Sequence, residues 1–495
     1  MKDSEFTIAR SAKRFFSGTL ISRFSGLGRE VLMAAAFGTA PAVAAFWMAF
    51  RFAHLLRRLF GEGALHSAFV PHFEDLKRED PKKAARFFYD LSTGITAILL
   101  LIIVLVEMTL GGILFFAQIS LENQDVMILT MLLLPAIVFI SLYALNISFL
   151  NCERSFFLPS IAPSFLNAVW IIAICFLWNT PQRIAMQNLA MILVFAFILQ
   201  WAVTLPRVLK LLNYSVEERM PILPIIRPFL LGIIGVTATQ INSALDVIFA
   251  RIADPEGPAF LWYAIRLQQL PLALFGIGMA GALLPPLTRA IQAKDKQKSS
   301  KFFNYATSKI TQLMLPITVG IFVLGLSAVN LVYGHGKFTL AAIHETTHCL
   351  WAYGIGLLPM SLVLVFAATF YARKNYLTPT LVSFSCVVLN IVLNSLFVFF
   401  FKMGAISIAV ATSIAATANA VVLYYLQKEK ASFEGLRWII GGCICAAASA
   451  YGVQSFFYEL PRSILMQLVH FGSGAVVYLL IVTFCVLRIR KQQEC

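Results

Sequence analysis

Long apolar runs, separated by short charged or Pro- and Gly-containing stretches, recur along the whole chain. Residues 98–106 form the uninterrupted run ILLLIIVLV, whereas a membrane β-barrel would show segments of alternating polarity. A spanning helix needs roughly 20 apolar residues. The pattern predicts fourteen such helices, at residues 15–37, 42–66, 87–116, 126–150, 158–178, 185–206, 228–252, 259–288, 303–333, 346–371, 378–401, 404–427, 438–457 and 464–487.

Composition supports this prediction of an all-α, polytopic membrane protein. Of the 495 residues, 59% are hydrophobic and only 13% are charged, about half the charged fraction of a soluble domain. Most of the eight cysteines lie inside apolar runs, and they show neither a disulfide spacing nor a zinc-binding CxxC pair. We therefore expect no structural metal and no disulfide framework.

The basic residues alternate between the two sets of loops. With a cytoplasmic N-terminus, 27 of the 39 Lys and Arg residues fall on the cytoplasmic side, four on the external side and eight within or near the membrane. Cytoplasmic loops of membrane proteins carry this excess of positive charge. The pattern predicts that both termini are cytoplasmic, and it explains the net charge of +15 without a nucleic-acid partner.

The chain contains an internal repeat. Residues 47–71 match residues 262–286 at nine of 25 positions, with an offset of 215, whereas background composition gives roughly two matches. The offset equates the second predicted helix with the eighth, so each repeat is six helices long. Paired halves of this kind are typical of transporters.

The repeat predicts a 6+6+2 arrangement with two pseudo-symmetric lobes. The expected parts are an N-terminal lobe at residues 1–212, a C-terminal lobe at residues 213–430 and two additional helices at residues 431–495. We expect the protein to be a monomer that contacts membrane lipids, and we expect a transporter and no enzyme.

Charged residues lie inside several predicted spans, where each has a substantial energetic cost. Six arginines outnumber two acids on the first, second and eighth predicted helices: Arg23, Arg29, Arg51, Arg57, Arg58 and Arg266 against Glu30 and Glu62. Snorkelling to the headgroups or pairing with these acids is one interpretation; it fits Arg23, Arg29 and Arg266 less well because the acids are too few. The other is a cationic cavity for phosphate or pyrophosphate.

Several segments resemble the MurJ/MviN family of lipid II flippases, in the multidrug/oligosaccharidyl-lipid/polysaccharide exporter superfamily. They are SRFSGLGRE at 22–30, LLRRLFGEGA at 55–64, AFVP at 68–71, YAIRL at 263–267, LLP at 283–285, YG at 333–334, GKFT at 336–339, FYAR at 370–373 and TP at 378–379. The resemblance covers nearly the whole chain. It implies two lobes around a cationic cavity, with an apolar groove for the lipid tail at the last two helices.

The resemblance also implies a function. The family carries the undecaprenyl-pyrophosphate-linked peptidoglycan precursor, lipid II, across the bacterial inner membrane to its outer face by alternating access. By motif match, the substrate-binding positions are Ser22, Arg23, Arg29, Arg57, Glu62 and Arg266, with Arg51 and Arg58 as secondary candidates. The chain departs from the family pattern at Ala44, Ile265 and Gln269, where the family often has acids nearby, so a more cationic cavity is expected.

A second polar group is predicted in the second half. Asp246 is an acid in the middle of a predicted span, and Asn390 and Asn394 are spaced i,i+4 on one helix face. With Thr412, or its neighbour Ser413, they could supply three or four oxygens to a sodium ion. The alternative is a hydrogen-bonded clamp between helices with a neutral Asp246.

Two other functions compete with the flippase. His344-Glu345-Thr346-Thr347-His348 matches the HExxH motif of zinc proteases, but a third ligand has no evident candidate. A multidrug or other lipid-linked oligosaccharide exporter of the same superfamily is the other alternative. Export of cationic drugs would favour embedded carboxylates over arginines.

Overall fold

A computed structural model describes residues 5–60, 64–153, 155–212, 220, 240–427, 436–457 and 460–494. Almost all of these residues are helical, and no strand occurs among them. The predicted all-α fold is confirmed.

Seventeen helices are described, and two short π-helical segments, Leu272–Ile277 and Leu396–Phe400, continue α10 and α14. The helices are α1 Glu5–Phe37, α2 Pro41–Phe60, α3 Ala64–Glu79, α4 Pro81–Phe116, α5 Leu121–Leu133, α6 Ala136–Cys152, α7 Phe157–Leu177, α8 Gln182–Leu211, α9 (residues 240–253), α10 Gly257–Pro271, α11 Gly278–Gln292, α12 Lys296–Tyr333, α13 Leu340–Ala372, α14 Leu377–Ser395, α15 Ile406–Leu426, α16 Leu436–Gln454 and α17 Ile464–Glu494.

Ten helical segments in the described part of the chain are long and apolar enough to cross a membrane. A bent pair, α5 and α6, adds an eleventh span if its two helices cross together. They correspond to the predicted span 126–150, which the structure breaks by 43°. The break coincides with Pro135, whose ring cannot continue the helical hydrogen-bond ladder. The chain is a multi-pass membrane protein, and the count of fourteen spans stays a prediction.

The π-helical segment after α10 lies within the second copy of the repeat. In the first copy, α2 is described as far as Phe60 and α3 from Ala64, so the predicted span 42–66 stays a prediction. In the second copy Phe275, the partner of Phe60 at the offset of 215, lies in the π-helical segment. That segment follows Pro271, which has no backbone N–H to donate to the preceding turn. The wider π-helical winding accommodates this loss.

The chain divides into two compact units, residues 1–244 and residues 245–495. In the first unit, α1 packs along α7, and α2 packs against α5. Gly18 permits the close α1–α7 approach, because a Cβ there would lie 2.0 Å from the Ser160 hydroxyl oxygen. Small residues at helix crossings are typical of membrane proteins, where close packing drives association.

In the second unit, α13 is central and packs against α10, α12 and α15. A Cβ at Gly356 on α13 would lie 2.7 Å from the Ser413 hydroxyl oxygen on α15, so this crossing also depends on a small residue. Helices α16 and α17 pack against each other and against α12. The Tyr478 hydroxyl on α17 donates to the Pro316 carbonyl on α12 over 2.6 Å.

Candidate functional site

Arg29 on α1 contacts three side chains of the first unit. Its Nη2 lies 2.5 Å from Glu30 Oε1, and its Nη1 donates to Asn167 Oδ1 over 3.0 Å. The guanidinium carbon lies 4.3 Å from the centroid of the Trp170 ring, within the range of a cation–π interaction. The expectation that acids are too few to pair with Arg29 is therefore wrong, because Glu30 pairs with it.

Asn167 extends this contact along α1. Its amide nitrogen donates to the Ser22 carbonyl over 3.2 Å and to the Ser25 hydroxyl over 3.0 Å. Because α1 and α7 approach closely at Gly18, the short side chain of Asn167 can reach both turns of α1. Arg29, Glu30 and Asn167, with the Ser22 and Ser25 contacts, form what we call the arginine centre.

Two further arginines of the first unit differ in their surroundings. Arg23, also on α1, is exposed, and no ion pair to it is found within the described part of the chain. Arg51 on α2 is half-buried and donates to the Ser243 carbonyl over 3.5 Å. The charge of Arg23 therefore has no compensating carboxylate among the described residues.

Three predicted positions lie outside the described residues in whole or in part. Glu62 falls in the undescribed segment 61–63, and the side chains of Arg57 and Arg58 are likewise outside the described part, although both positions belong to α2.

Arg266 lies on α10 in the second unit. Its guanidinium carbon is 4.2 Å from the centroid of the Trp262 ring, one helical turn earlier. Trp262 is buried, with 4% of its surface exposed, so the ring is held by its surroundings and provides a fixed platform. A stacked guanidinium keeps its N–H donors in one plane around its edge, the geometry that matches phosphate oxygens.

Asp246, Asn390, Asn394 and Thr412 come together in the second unit, on α9, α14 and α15. The Asn394 amide nitrogen donates to Asp246 Oδ1 over 2.9 Å and to Asn390 Oδ1 over 2.8 Å. The Thr412 hydroxyl lies 3.4 Å from Asp246 Oδ2, and the Asn390 amide nitrogen lies 3.4 Å from the Thr412 hydroxyl. We call these four residues the aspartate centre.

The aspartate centre is almost completely buried. Asp246 is 6% exposed, Asn390 1% and Asn394 0%. In this arrangement the Asn394 amide nitrogen faces the carboxylate and bridges it to Asn390, which is the clamp between helices. A 180° rotation of that amide would replace the nitrogen by an oxygen facing the same point, and a cation would then find carboxylate, amide and hydroxyl oxygens together.

The HExxH motif begins near the start of α13. His348 Nδ1 lies 3.7 Å from Glu345 Oε1, and both side chains are more than 40% exposed. Within the described residues, no group of three or more His, Cys, Asp and Glu side chains could hold a metal ion. The motif therefore has no third ligand in the described part of the chain.

A groove of about 720 Å³ runs between α12 and α17 in the second unit, and the end of α10 closes it. The α12 wall includes Lys309 and Gln312, which the sequence interpretation did not single out. The signal was available, because Lys309 is a charged residue inside the predicted span 303–333.

The family model and the similar proteins all point to the same family. The family model described as "Lipid II flippase MurJ" matches residues 33–469. A "Probable lipid II flippase MurJ" of Chlamydia muridarum is 37% identical over 441 residues, which cover 88% of this chain and 82% of that protein. The "Lipid II flippase MurJ" of Burkholderia cenocepacia is 28% identical over 431 residues, covering 84% of this chain and 83% of that protein.

Two solved structures are also similar. One, described as lipid II flippase MurJ in an inward closed conformation, aligns with a TM-score of 0.79 at 26% identity and covers 95% of this chain and 98% of that chain. An inward-facing multidrug resistance MATE family transporter aligns with a TM-score of 0.64 at 14% identity, covering 84% and 96%. The second similarity concerns the fold alone.

Proposed function

Because the chain belongs to the lipid II flippase MurJ family, we propose that it moves lipid II from the cytoplasmic to the outer face of the bacterial inner membrane. Alternating access of the two lobes carries the headgroup, and no covalent chemistry is involved. The protein acts as a transporter.

The arginines carry this proposal. Substrate binding is assigned to Ser22, Arg23, Arg29, Arg57, Glu62 and Arg266, with Arg51 and Arg58 in support. The single observation that supports it best is the stacking of Arg266 on buried Trp262, because the ring fixes the plane of a phosphate-binding fork. Arg29 has the same stacking on Trp170, but its charge is shared with Glu30, whereas no described carboxylate pairs with Arg23.

Charge sign favours this function over export of cationic drugs. A cationic substrate would need embedded carboxylates at its binding site, whereas the candidate residues on α1, α2 and α10 are mainly arginines. The similarity to a multidrug transporter at 14% identity supports a common fold and adds nothing about the substrate.

The orientation follows from the loops. The basic helix ends that adjoin the α3–α4 and α11–α12 junctions, and the basic segment after α15, are assigned to the cytoplasm, with both termini. The lobes are assigned to residues 1–212 and 213–430. Residues 431–495, which include α16 and α17, form the wall of the groove that takes the apolar tail of the lipid.

The aspartate centre is assigned to sodium. Buried carboxylate, amide and hydroxyl oxygens on three helices are the ligand types of a hard cation. Binding there would hold α9, α14 and α15 together, and release would let them separate, so sodium resets the carrier after the lipid has left. The same hydrogen bonds also support the neutral clamp, which the sodium-dependence experiment in the Discussion distinguishes.

Depletion of the protein in a bacterium that depends on it tests the function directly. We expect lipid II to accumulate on the cytoplasmic face, measured by its resistance to a membrane-impermeant enzyme that cleaves lipid II outside the cell. Re-expression of the unmodified chain should restore sensitivity, and Arg266→Ala should not. Unchanged sensitivity on depletion would contradict the proposed function.

A further inference from the structure

Glu107 is an acidic residue in the apolar part of α4, within the sequence IIVLVEMTLGG at 102–112. The other charged residues of α4 all lie in its first ten residues, so that end of this long helix extends beyond the membrane. Nine residues, about 14 Å of helix, separate Glu107 from Phe116 at the other end. Half of a hydrocarbon core is roughly 15 Å, which places Glu107 near the middle of the membrane. An acid at that depth indicates a partner or a function, because an uncompensated charge there is costly.

The chain supplies no partner for this carboxylate among its described residues, where no hydrogen bond or ion pair to Glu107 occurs. Helix α4 packs against α3, α5 and α6. Helices α5 and α6 contain no Lys or Arg. The two basic residues of α3, Lys77 and Arg78, lie in its last turn, next to the charged start of α4. A group that compensates Glu107 at its own depth must therefore come from another molecule.

The surface around Glu107 is open. Only 11% of the most apolar stretch of α4 is buried, the smallest share among the ten spanning candidates of the described chain. Leu100, Val104, Glu107 and Gly111 follow one another in steps of four, three and four residues, which places them on one side of the helix. We call these four residues the Glu107 face. Leu100 and Val104 are 50% and 49% exposed, and Glu107 is half-buried.

Gly111 makes a notch in the Glu107 face, one helical turn from the carboxylate. A Cβ at Gly111 would meet only the terminal methyl carbon of Met131 on α5, at 4.0 Å. The fold of the described chain therefore has room for a side chain at this position. Small residues on a lipid-facing helix let a second helix approach closely in the membrane, and here such a residue lies beside an embedded charge.

Depth and charge sign together select the kind of molecule that fits the Glu107 face. The amine of a lipid headgroup stays at the membrane surface, whereas Glu107 lies about 14 Å below the end of α4. A second copy of this chain, docked by two-fold symmetry, would bring the same patch against itself and place two carboxylates together. A spanning helix with a basic side chain at its middle supplies the opposite charge at the right depth.

We propose that the Glu107 face binds a transmembrane helix of another membrane protein, one that carries a lysine or arginine near its midpoint. The basic side chain pairs with Glu107, the backbone of the bound helix packs at Gly111, and apolar side chains cover Leu100 and Val104. The interaction holds a second membrane protein beside the first unit. Neither the arginine centre nor the aspartate centre takes part, so the proposal does not depend on the transport of lipid II.

Two synthetic spanning peptides test the charge. Each has about 20 leucine and alanine residues, with a single central lysine in one and a central methionine in the other. Binding to the purified full-length chain in liposomes is measured by energy transfer between fluorophores on the peptide and on the chain. We expect the lysine peptide to bind about tenfold more tightly, the size of an interhelical polar contact in a membrane. Glu107→Gln should remove this preference and leave the methionine peptide unchanged.

Thr109→Val is the matched control for the charge, because Thr109 lies two residues away at nearly the same depth and its hydroxyl bonds only its own helix, at the Leu105 carbonyl. It should change the binding of neither peptide. A pair of glycine variants tests the packing. Gly111→Leu should weaken both peptides, because it fills the notch. Gly112→Leu should weaken neither, since it points to a different side of α4, and nothing lies within 4 Å of a Cβ there.

Equal affinity of the unmodified chain for the two peptides would overturn the role of Glu107 in the contact. Equal weakening by Gly111→Leu and Gly112→Leu would overturn the assignment of the Glu107 face. Energy transfer between two differently labelled copies of the chain, lost in Glu107→Gln, would assign the face to self-association and overturn the proposal of another protein.

Lipid II transport in liposomes separates this inference from the proposed function. Glu107→Gln should transport lipid II at the rate of the unmodified chain while the preference for the lysine peptide is lost. A loss of transport in Glu107→Gln would place Glu107 in the transport machinery and overturn its role in docking. Absence of transport in the unmodified chain, with the preference intact, would contradict only the proposed function.

Discussion

The arginine centre and the aspartate centre lie on equivalent helices of the two predicted repeats and differ in how their charge is compensated: Glu30 pairs with Arg29 in the first, whereas amide and hydroxyl groups contact Asp246 in the second. In the first unit, the first and fifth helices of the repeat meet through Arg29 and Asn167. In the second unit, α9 and α14, the first and fifth helices of the second repeat, meet through Asp246 and Asn394. One asparagine amide on the fifth helix is common to both contacts.

The difference shows how one amide can contact a group of either charge. An asparagine amide has an oxygen that accepts from a guanidinium and a nitrogen that donates to a carboxylate. Asn167 uses its oxygen toward Arg29, and Asn394 uses its nitrogen toward Asp246. The amide is therefore compatible with either sign, and we expect the residue on the first helix to set which class of ligand, phosphate or cation, each centre attracts.

The largest effect is expected at the arginine centre. Arg29→Met removes the cation that lies 2.5 Å from the Glu30 carboxylate, a buried residue at 4% exposure. Breaking a buried ion pair by removing one partner costs about 3–5 kcal/mol, so the free energy of unfolding should fall by that amount in detergent denaturation and lipid II flipping should be lost.

The double variant Arg29→Met/Glu30→Gln distinguishes stability from binding. Replacing both partners removes the uncompensated charge, so most of the stability should return. Flipping should remain lost if Arg29 contacts the substrate as proposed. Normal flipping by the double variant would show that Arg29 only holds α1 against α7 and does not contact the substrate.

The dependence of the Tm on sodium should distinguish the aspartate centre from the arginine centre. At a sodium concentration of roughly ten times Kd, binding to the folded state adds about 1.4 kcal/mol to the free energy of unfolding. We expect a higher Tm in sodium chloride than in choline chloride, and loss of that difference in Asp246→Asn. Asn146→Ala, at a buried hydrogen bond to Thr204 in the first unit, should lower the Tm equally in both salts.

Equal Tm values of the unmodified protein in the two salts would favour the hydrogen-bonded clamp. The two centres would then differ in role, with an anion-binding centre on α1 and α7 and a packing contact on α9 and α14.

A smaller effect is expected when only the platform of Arg266 is removed. Trp262→Leu keeps the arginine but removes a cation–π interaction of about 1 kcal/mol, so the flipping rate at low substrate should fall roughly fivefold. Trp438→Leu is the matched control, because Arg437 lies 5.8 Å from that exposed ring outside the proposed site. An equal loss in both variants would contradict a role for the Trp262 platform.

The smallest effect is expected at the HExxH motif, which belongs to neither centre. His344→Ala and Glu345→Ala should leave flipping and the Tm unchanged, since both side chains lie at the partly exposed start of α13. Metal analysis of the purified protein should find no stoichiometric zinc. Bound zinc together with loss of function in both variants would contradict this expectation.

The sequence was sufficient for the helical class, because apolar periodicity and basic loops depend on local composition. The family resemblance, carried by motifs on the first, second and eighth predicted helices, is confirmed by the comparisons. The break at Pro135 was missed, since the surrounding sequence window remains apolar across this position. Hydropathy measures burial in lipid and does not detect a bend.

The candidate site was harder to predict. The four residues of the aspartate centre were grouped correctly, because an acid and two amides in apolar spans must find polar partners. The ion pair between Arg29 and Glu30 was not predicted. A count of acids does not show that the side chain of the adjacent residue, Glu30, turns toward the Arg29 guanidinium. Whether the assigned residues bind substrate or sodium stays a prediction.

The shared segment of the two halves bears on the history of the chain. Residues 47–71 and 262–286 agree at nine of 25 positions with a single offset, which is most simply inherited from one ancestral segment that was duplicated. Phe60 is the last described residue of α2, whereas Phe275, at the corresponding position, lies in the π-helical segment that continues α10. The two copies therefore keep common residues at a position where the winding of the backbone now differs, so descent is recorded in the side chains and divergence in the local helix geometry.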